Sequence, residues 1–141
     1  MYYIGIIMMS ILILIATIHY YWAFGGTKLV HYAIPTIHEK PAFKPGFIAT
    51  IIVAIGLSGL ALFVYIMLHD SFDLISYQQN SFSRGAWIFS AIFLMRAIGE
   101  FKLVGFFKKE TESKFAQWDS MLYTPLCLFF SIGFIALGLS L

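Results

Sequence analysis

Arg96 and Glu100 are the residues with the clearest chemical potential, because both stand in or beside a long apolar segment. They are four residues apart, so a continuous helix would place them one turn apart on the same face. An arginine at the centre of a bilayer costs roughly 2.5–3.5 kcal/mol on insertion scales, so it should face other helices and find a partner. The simplest partner is Glu100. The pair then either fixes the helix register or forms a site for an anionic or polar headgroup, and the sequence leaves both interpretations open.

Three further residues are candidates for the same polar site. His19 and Trp22 lie three apart at the end of the first apolar segment, at the depth predicted for Arg96. A neutral imidazole can relay protons or ligate haem, and a hydrogen-bonded structural histidine is the alternative. Asp119 either caps the last apolar segment or reaches Arg96. The predicted ligand-binding residues are therefore His19, Trp22, Arg96, Glu100 and Asp119, with no metal and no cofactor.

Apolar helices must position these residues. The 141 residues are 60% hydrophobic and only 11% charged, which excludes a soluble enzyme, a disordered chain and a nucleic-acid binder. A helix that crosses a bilayer needs about 20 mostly apolar residues. The sequence predicts an all-α integral membrane four-helix bundle, formed by one domain over 1–141, with spans near 3–23, 46–68, 82–104 and 121–140. The third span contains Arg96, about 12 Å from its end at Val104.

The distribution of charge predicts the orientation of the four spans. The loops between spans one and two and between spans three and four carry seven lysines: Lys28, Lys40, Lys44, Lys102, Lys108, Lys109 and Lys114. The opposite loop has Arg84 beside Asp70 and Asp73. The positive-inside rule places the lysine-rich loops in the cytoplasm and both termini outside. The first span lacks a basic start and a cleavage site, so we expect it to be retained rather than removed as a signal peptide.

Both lysine-rich loops have a predicted role. Residues 24–45 include three prolines and the histidines His31 and His38, and this length predicts a partly ordered lid over the cytoplasmic mouth. The spacing of the histidines is not convincing for a metal. In the second loop, lysines flanked by Phe106, Phe107 and Trp118 favour an interfacial segment on an anionic leaflet.

A repeat is a further hypothesis. Residues 24–30 align with 98–104 at an offset of 74, with Gly, Lys, Leu and Val coinciding. The offset suggests two helical hairpins, 1–68 and 75–141, related by an axis along the membrane normal. Small residues at Ala54 and Ser58 permit close helix contact, and a homo-oligomer is one way to use them. The single cysteine, Cys127, excludes an internal disulfide.

These motifs resemble a bacterial membrane family catalogued as domain of unknown function 3995. The resemblance covers nearly the whole chain and rests on three groups of residues: His19, Tyr21–Ala23, Gly25, Gly26, Pro35, Pro45 and Gly46; Arg96–Phe101 and Val104–Lys108; and Phe115, Ala116, Asp119, Tyr123 and Pro125–Cys127. It implies a small four-span protein of the bacterial inner (cytoplasmic) membrane. It implies no activity.

Three functions fit these expectations. The first is binding or passage of a small amphiphilic or anionic ligand at a cytoplasmic-side polar cluster, where Arg96 supplies the charge. The second is an enzyme acting on a lipid or quinone-like substrate, with His19 or Glu100 exchanging a proton. The third is an accessory or immunity-type membrane subunit without a ligand. Membrane lipid is the expected partner in each, and nucleic acid is not.

Overall fold

Helices dominate the structure, a computed structural model that describes residues 1–37, 40–42, 44–69, 74–109 and 111–140. About three quarters (76%) of the described residues are helical. The long helices are α1 (Tyr2–Ala23), α3 (Phe47–His69), α4 (Leu74–Ile98) and α6 (Thr124–Leu139). His38, one of the two histidines considered as metal ligands, and Asp70 and Asp73 of the loop between spans two and three lie outside the described residues.

Short elements join the long helices. The segment after α1 forms a single helical turn, α2 (Val30–Ala33), and a two-stranded antiparallel ribbon of β1 (Thr36–Ile37) and β2 (Lys40–Pro41). Before α6 come α5 (Lys114–Trp118) and a π-helical turn (Asp119–Tyr123). The Ser113 hydroxyl caps α5 by accepting the Ala116 N–H at 3.0 Å.

Within the described residues, three helical segments are long and apolar enough to cross a membrane: Tyr2–Ala23, Phe47–His69 and Lys114–Leu139. The third of these joins α5, the π-helical turn and α6. Helix α4 is less apolar because it begins with a polar stretch and carries Arg84 and Arg96. Its backbone is also interrupted at Gln78. The predicted span over 82–104 therefore remains a prediction, and its helix ends at Ile98 rather than at Val104.

The long helices pack most extensively as two antiparallel pairs. In the first pair, the Tyr2 hydroxyl at the start of α1 lies 3.5 Å from the His69 ring at the end of α3. In the second, the buried hydroxyls of Ser90 and Ser131 join α4 and α6 at 3.1 Å. Such a hydroxyl pair contributes on average about 0.6 kcal/mol between membrane helices, so side-chain packing supplies most of the contact energy.

Aromatic and small residues connect the two pairs into one core. Phe63 of α3 contacts Phe89 of α4 and Phe134 of α6 at ring distances of 5.1 and 6.3 Å. A Cβ on Gly133 of α6 would overlap Met8 of α1, so the glycine permits this approach. All four long helices contribute to the buried apolar cluster, which contains Met8, Leu12, Ala61, Val64, Ala86, Phe130, Phe134 and Leu137.

Candidate functional site

Asp119 is the centre of a buried polar cluster. Its side chain has no solvent exposure. Its Oδ1 accepts Arg96 Nη2 at 2.9 Å, and its Oδ2 accepts the Gly105 N–H at 2.8 Å, Lys108 Nζ at 3.1 Å and the Thr124 hydroxyl at 3.2 Å. These four donors come from α4, the following loop and α6. The carboxylate therefore joins the end of α4 to the start of α6.

A loop between α4 and α5 brings Gly105 to this carboxylate. Gly99 follows the last residue of α4 with φ +84°, and Gly105 has φ +89°. A Cβ on Gly99 would overlap the carbonyl of Val104, and a Cβ on Gly105 would come within 2.6 Å of Gly99. The Phe106 N–H then donates to the Ala97 carbonyl at 2.9 Å. The chain can double back over the helix end because two glycines cross there without side chains.

The two cations of the cluster, Lys108 and Arg96, differ in burial and in how many of their donors are paired. The Lys108 side chain is only 4% exposed, and its ammonium donates to Asp119, to the Gly105 carbonyl at 3.2 Å and to the Ser120 hydroxyl at 2.6 Å. An ammonium has three donors, so Lys108 is satisfied. The Arg96 side chain is 34% exposed, and its buried Nη1 has no acceptor in the described part of the chain.

The predicted pairing of Arg96 with Glu100 is wrong. Helix α4 ends at Ile98, so Glu100 is not on the helical face of Arg96. Its exposed carboxylate instead accepts the Leu103 N–H at 3.2 Å within the loop. Arg96 lies in the last turn of α4 and not deep inside a longer span. At this end of the helix its positive charge also complements the helix dipole. The alternative prediction, that Asp119 reaches Arg96, is confirmed by the hydrogen bond between Arg96 Nη2 and Asp119 Oδ1.

His19 and Trp22 form a separate contact at the end of α1. Their rings meet edge to face with centroids 5.0 Å apart. The His19 Nδ1 lies 2.8 Å from the Ile15 carbonyl, and the Trp22 indole donates to the Lys28 carbonyl at 2.7 Å. These polar contacts stay within α1 and the segment after it. The structure therefore does not bring His19 or Trp22 into the Asp119 cluster.

The loop after α1 covers part of the same end of the molecule. The Tyr32 ring of α2 lies 5.6 Å from the Trp118 ring of α5, and the Tyr123 hydroxyl donates to the Tyr32 carbonyl at 3.0 Å. Pro35 is buried. This segment therefore packs on α5 and the π-helical turn, and its predicted role as a lid stays a prediction.

An open apolar groove of about 290 Å³ lies elsewhere, between α1 and α3. A contact between the Tyr20 and Ser58 hydroxyls, 3.4 Å apart, is among its few polar features. It shares no lining residue with the Asp119 cluster; it is lined by Met9, Ile13, Ala16, Thr17, Tyr20, Ser58, Ala61, Leu62 and Tyr65. A ligand held by Arg96 is therefore not positioned by this groove.

Sequence reasoning missed Lys108, Gly105 and Thr124 as members of the cluster. Lys108 stands beside Lys109 and looks like one of several solvated lysines. Gly105 contributes a backbone N–H, which no residue-type pattern reveals. Thr124 precedes Pro125, a pair typical of a helix start, and α6 does begin at Thr124; that pattern does not reveal a bond to Asp119.

The fold is that of a helical protein, with three segments in the described ranges that could cross a membrane and a buried ion cluster at one end of two helices. A family model described as "Protein of unknown function (DUF3995)" matches residues 12–134. The chain belongs to this family, which confirms the resemblance seen in its motifs. No curated protein and no solved structure matches it.

Proposed function

We propose that this is a multi-pass protein of the bacterial inner membrane that binds the anionic headgroup of an amphiphile at Arg96. The observation that carries the proposal is the incomplete pairing of the Arg96 guanidinium beside a carboxylate that two cations share. A phosphate or carboxylate group of the ligand would supply the missing hydrogen-bond acceptor to the guanidinium.

The balance of charge supports an anionic ligand. Arg96 and Lys108 both bond Asp119, so the cluster carries one positive charge in excess. An uncompensated charge is costly where water is scarce, and a counter-anion lowers that cost. Lys108 has no donor left for a ligand, so Arg96 is the residue that would contact it.

The geometry of the guanidinium supports a headgroup oxygen as the acceptor. A guanidinium has five N–H donors in a planar fork, and Asp119 takes one through Nη2. Arginine binds phosphate and carboxylate through two parallel hydrogen bonds, which lysine cannot do. The partial exposure of Arg96, in the last turn of α4, leaves a direction from which a headgroup can approach.

The position of the cluster supports a cytoplasmic-side headgroup. It lies between α4 and α6, next to the lysine-rich segment 102–114. The positive-inside rule assigns that segment to the cytoplasmic face and both termini to the outside. Phospholipid phosphates lie at the same membrane boundary.

Lipid retention by the purified protein tests this proposal. We expect native mass spectrometry to show that the wild-type chain retains phosphatidylglycerol in preference to phosphatidylcholine. Arg96→Gln should reduce this retention about tenfold, because a charge-assisted hydrogen bond contributes roughly 1.5–3 kcal/mol. Arg96→Lys should restore it only in part, since it keeps the charge and loses the fork.

Arg84→Gln is the matched control, because Arg84 is an exposed arginine in the middle of the same helix, away from the Asp119 cluster. Equal losses from Arg84→Gln and Arg96→Gln would contradict a specific site. A melting temperature measured for each variant shows whether the fold survives. Competition by inorganic phosphate distinguishes a free anion from a lipid as the ligand; if phosphate displaces nothing, the lipid is the ligand.

A further inference from the structure

The segment between α4 and α5 has a well-defined backbone. Residues 99–109, here called the aromatic loop, are fixed by the Phe106 N–H on the Ala97 carbonyl and by the Lys109 N–H on the Lys102 carbonyl at 3.2 Å. The Gly105 N–H on Asp119 adds a third anchor. The side chains of this loop therefore project from a frame that its own hydrogen bonds maintain.

Three phenylalanines project from this frame without cover from the rest of the molecule. Phe101, Phe106 and Phe107 are 57%, 56% and 63% exposed. The rings of Phe101 and Phe107 lie 6.1 Å apart, so they form one apolar surface. Exposed aromatic groups on a single short loop mark an interaction surface rather than ordinary solvated residues.

The loop is continuous with an exposed apolar side of α4. The bond from Phe106 to Ala97 returns the chain to the level of the last helical turn, where Met95 is 65% exposed. Irregular backbone is not found against hydrocarbon, because its N–H and C=O groups need water or protein partners. With α4 as a span, the loop therefore lies no deeper than the interface, where aromatic rings reach inward and the backbone stays hydrated.

Charge contributes less than apolar surface to the attachment of the aromatic loop to a membrane. Lys102 and Lys109 are exposed and Glu100 is exposed, while Lys108 is held by Asp119. The exposed side chains of the loop therefore carry a net charge of only about one unit, and one lysine near an anionic leaflet contributes about 1 kcal/mol. Attachment by aromatic insertion does not require an anionic leaflet.

We propose that the aromatic loop is a leaflet anchor: Phe101, Phe106 and Phe107 insert into the cytoplasmic-side membrane interface of the lipid that surrounds the helices. This inference rests on exposure, on backbone geometry and on the membrane topology proposed above, and it does not depend on ligand binding at Arg96.

Spin labelling in phosphatidylcholine vesicles tests the anchor. In a Cys127→Ala background, a label at Lys109→Cys leaves all three phenylalanines in place. Power saturation compares its collisions with oxygen, which is concentrated in lipid, and with a water-soluble nickel chelate. We expect oxygen to dominate at position 109. Labels at Ile55→Cys, exposed in the middle of α3, and at the exposed Lys44→Cys give the lipid and water references.

The matched variant adds Phe106→Ser and Phe107→Ser to the labelled chain. We expect the ratio of oxygen to nickel collisions to fall several-fold toward the value at position 44. A wild-type ratio equal to that at position 44 would overturn the proposal. So would low access to both reagents with dipolar broadening, which would identify a second copy as the occupant. Oxygen access that appears only after phosphatidylglycerol is added would show electrostatic attachment instead of insertion.

Discussion

At the scale of the residue, Asp119 determines the structure of the polar cluster. It is fully buried and accepts four hydrogen bonds, two of them from cations. Lys108 is nearly as buried and depends on the same carboxylate. Removal of one partner from a buried ion pair is more damaging than the pair is stabilising, because the other charge is left without compensation.

Asp119→Asn should therefore destabilise the protein by about 3 kcal/mol, near the lower end for a broken buried pair because Arg96 is partly exposed. Thr124→Val removes one charge-assisted hydrogen bond to the same carboxylate and should cost about 1.5 kcal/mol, the lower end for such a bond, because the carboxylate keeps its other three donors. Thermal unfolding in detergent, followed by tryptophan fluorescence, measures both. Glu112→Gln, on the exposed surface, is the control. Equal stability of Asp119→Asn and Glu112→Gln would refute the central role of Asp119.

At the scale of the element, glycines in left-handed conformations terminate two of the long helices. Gly25 after α1 has φ +92°, and Gly99 after α4 has φ +84°. They are 74 residues apart, the offset at which the sequence suggests an internal repeat, and that repeat stays a prediction. Their surroundings differ, because a Cβ would meet nothing within 4 Å at Gly25 and would overlap the Val104 carbonyl at Gly99.

Alanine substitutions at three glycines should give a graded series. Gly56→Ala in α3 has open space and helical backbone, so it should be neutral or stabilising by up to about 1 kcal/mol. Gly25→Ala should cost about 1–2 kcal/mol from backbone strain alone. Gly99→Ala adds the overlap and should cost more than Gly25→Ala. Melting temperatures rank the three, and a Gly99→Ala chain as stable as Gly25→Ala would show that the loop does not pack on the helix end.

At the scale of the whole molecule, the distribution of lysines predicts the orientation of the protein in the membrane. Lys44 and Ser81 are both exposed and lie in segments predicted on opposite sides. With Cys127 replaced by alanine, single cysteines at these positions report their sides. An impermeant maleimide applied to spheroplasts should label Ser81→Cys and leave Lys44→Cys unlabelled until the cells are broken. Labelling of Lys44→Cys in intact spheroplasts would reverse the proposed topology.

The main helices follow from the sequence, since α1 and α3 lie where charge-free apolar runs predict spans. Arg96 and Asp119 also stand out by type alone, because ionisable groups beside apolar runs are rare and need partners. The predicted end of the third span at Val104 is wrong for the helix, because α4 ends at Ile98. Apolar residues continue past Ile98, and composition does not show that Gly99 adopts a positive φ there.

The sequence by itself determined that apolar helices form and that a buried arginine must find a negative partner, because both follow from the local cost of exposing or burying particular groups. The tertiary structure alone decided that the partner is Asp119 rather than Glu100. The loop beyond α4 turns Glu100 away to a backbone N–H, while the antiparallel packing of α4 and α6 brings Asp119 to Arg96. Spacing along one helix predicts only neighbours on that helix, whereas contacts between helices depend on where each helix ends and which faces meet.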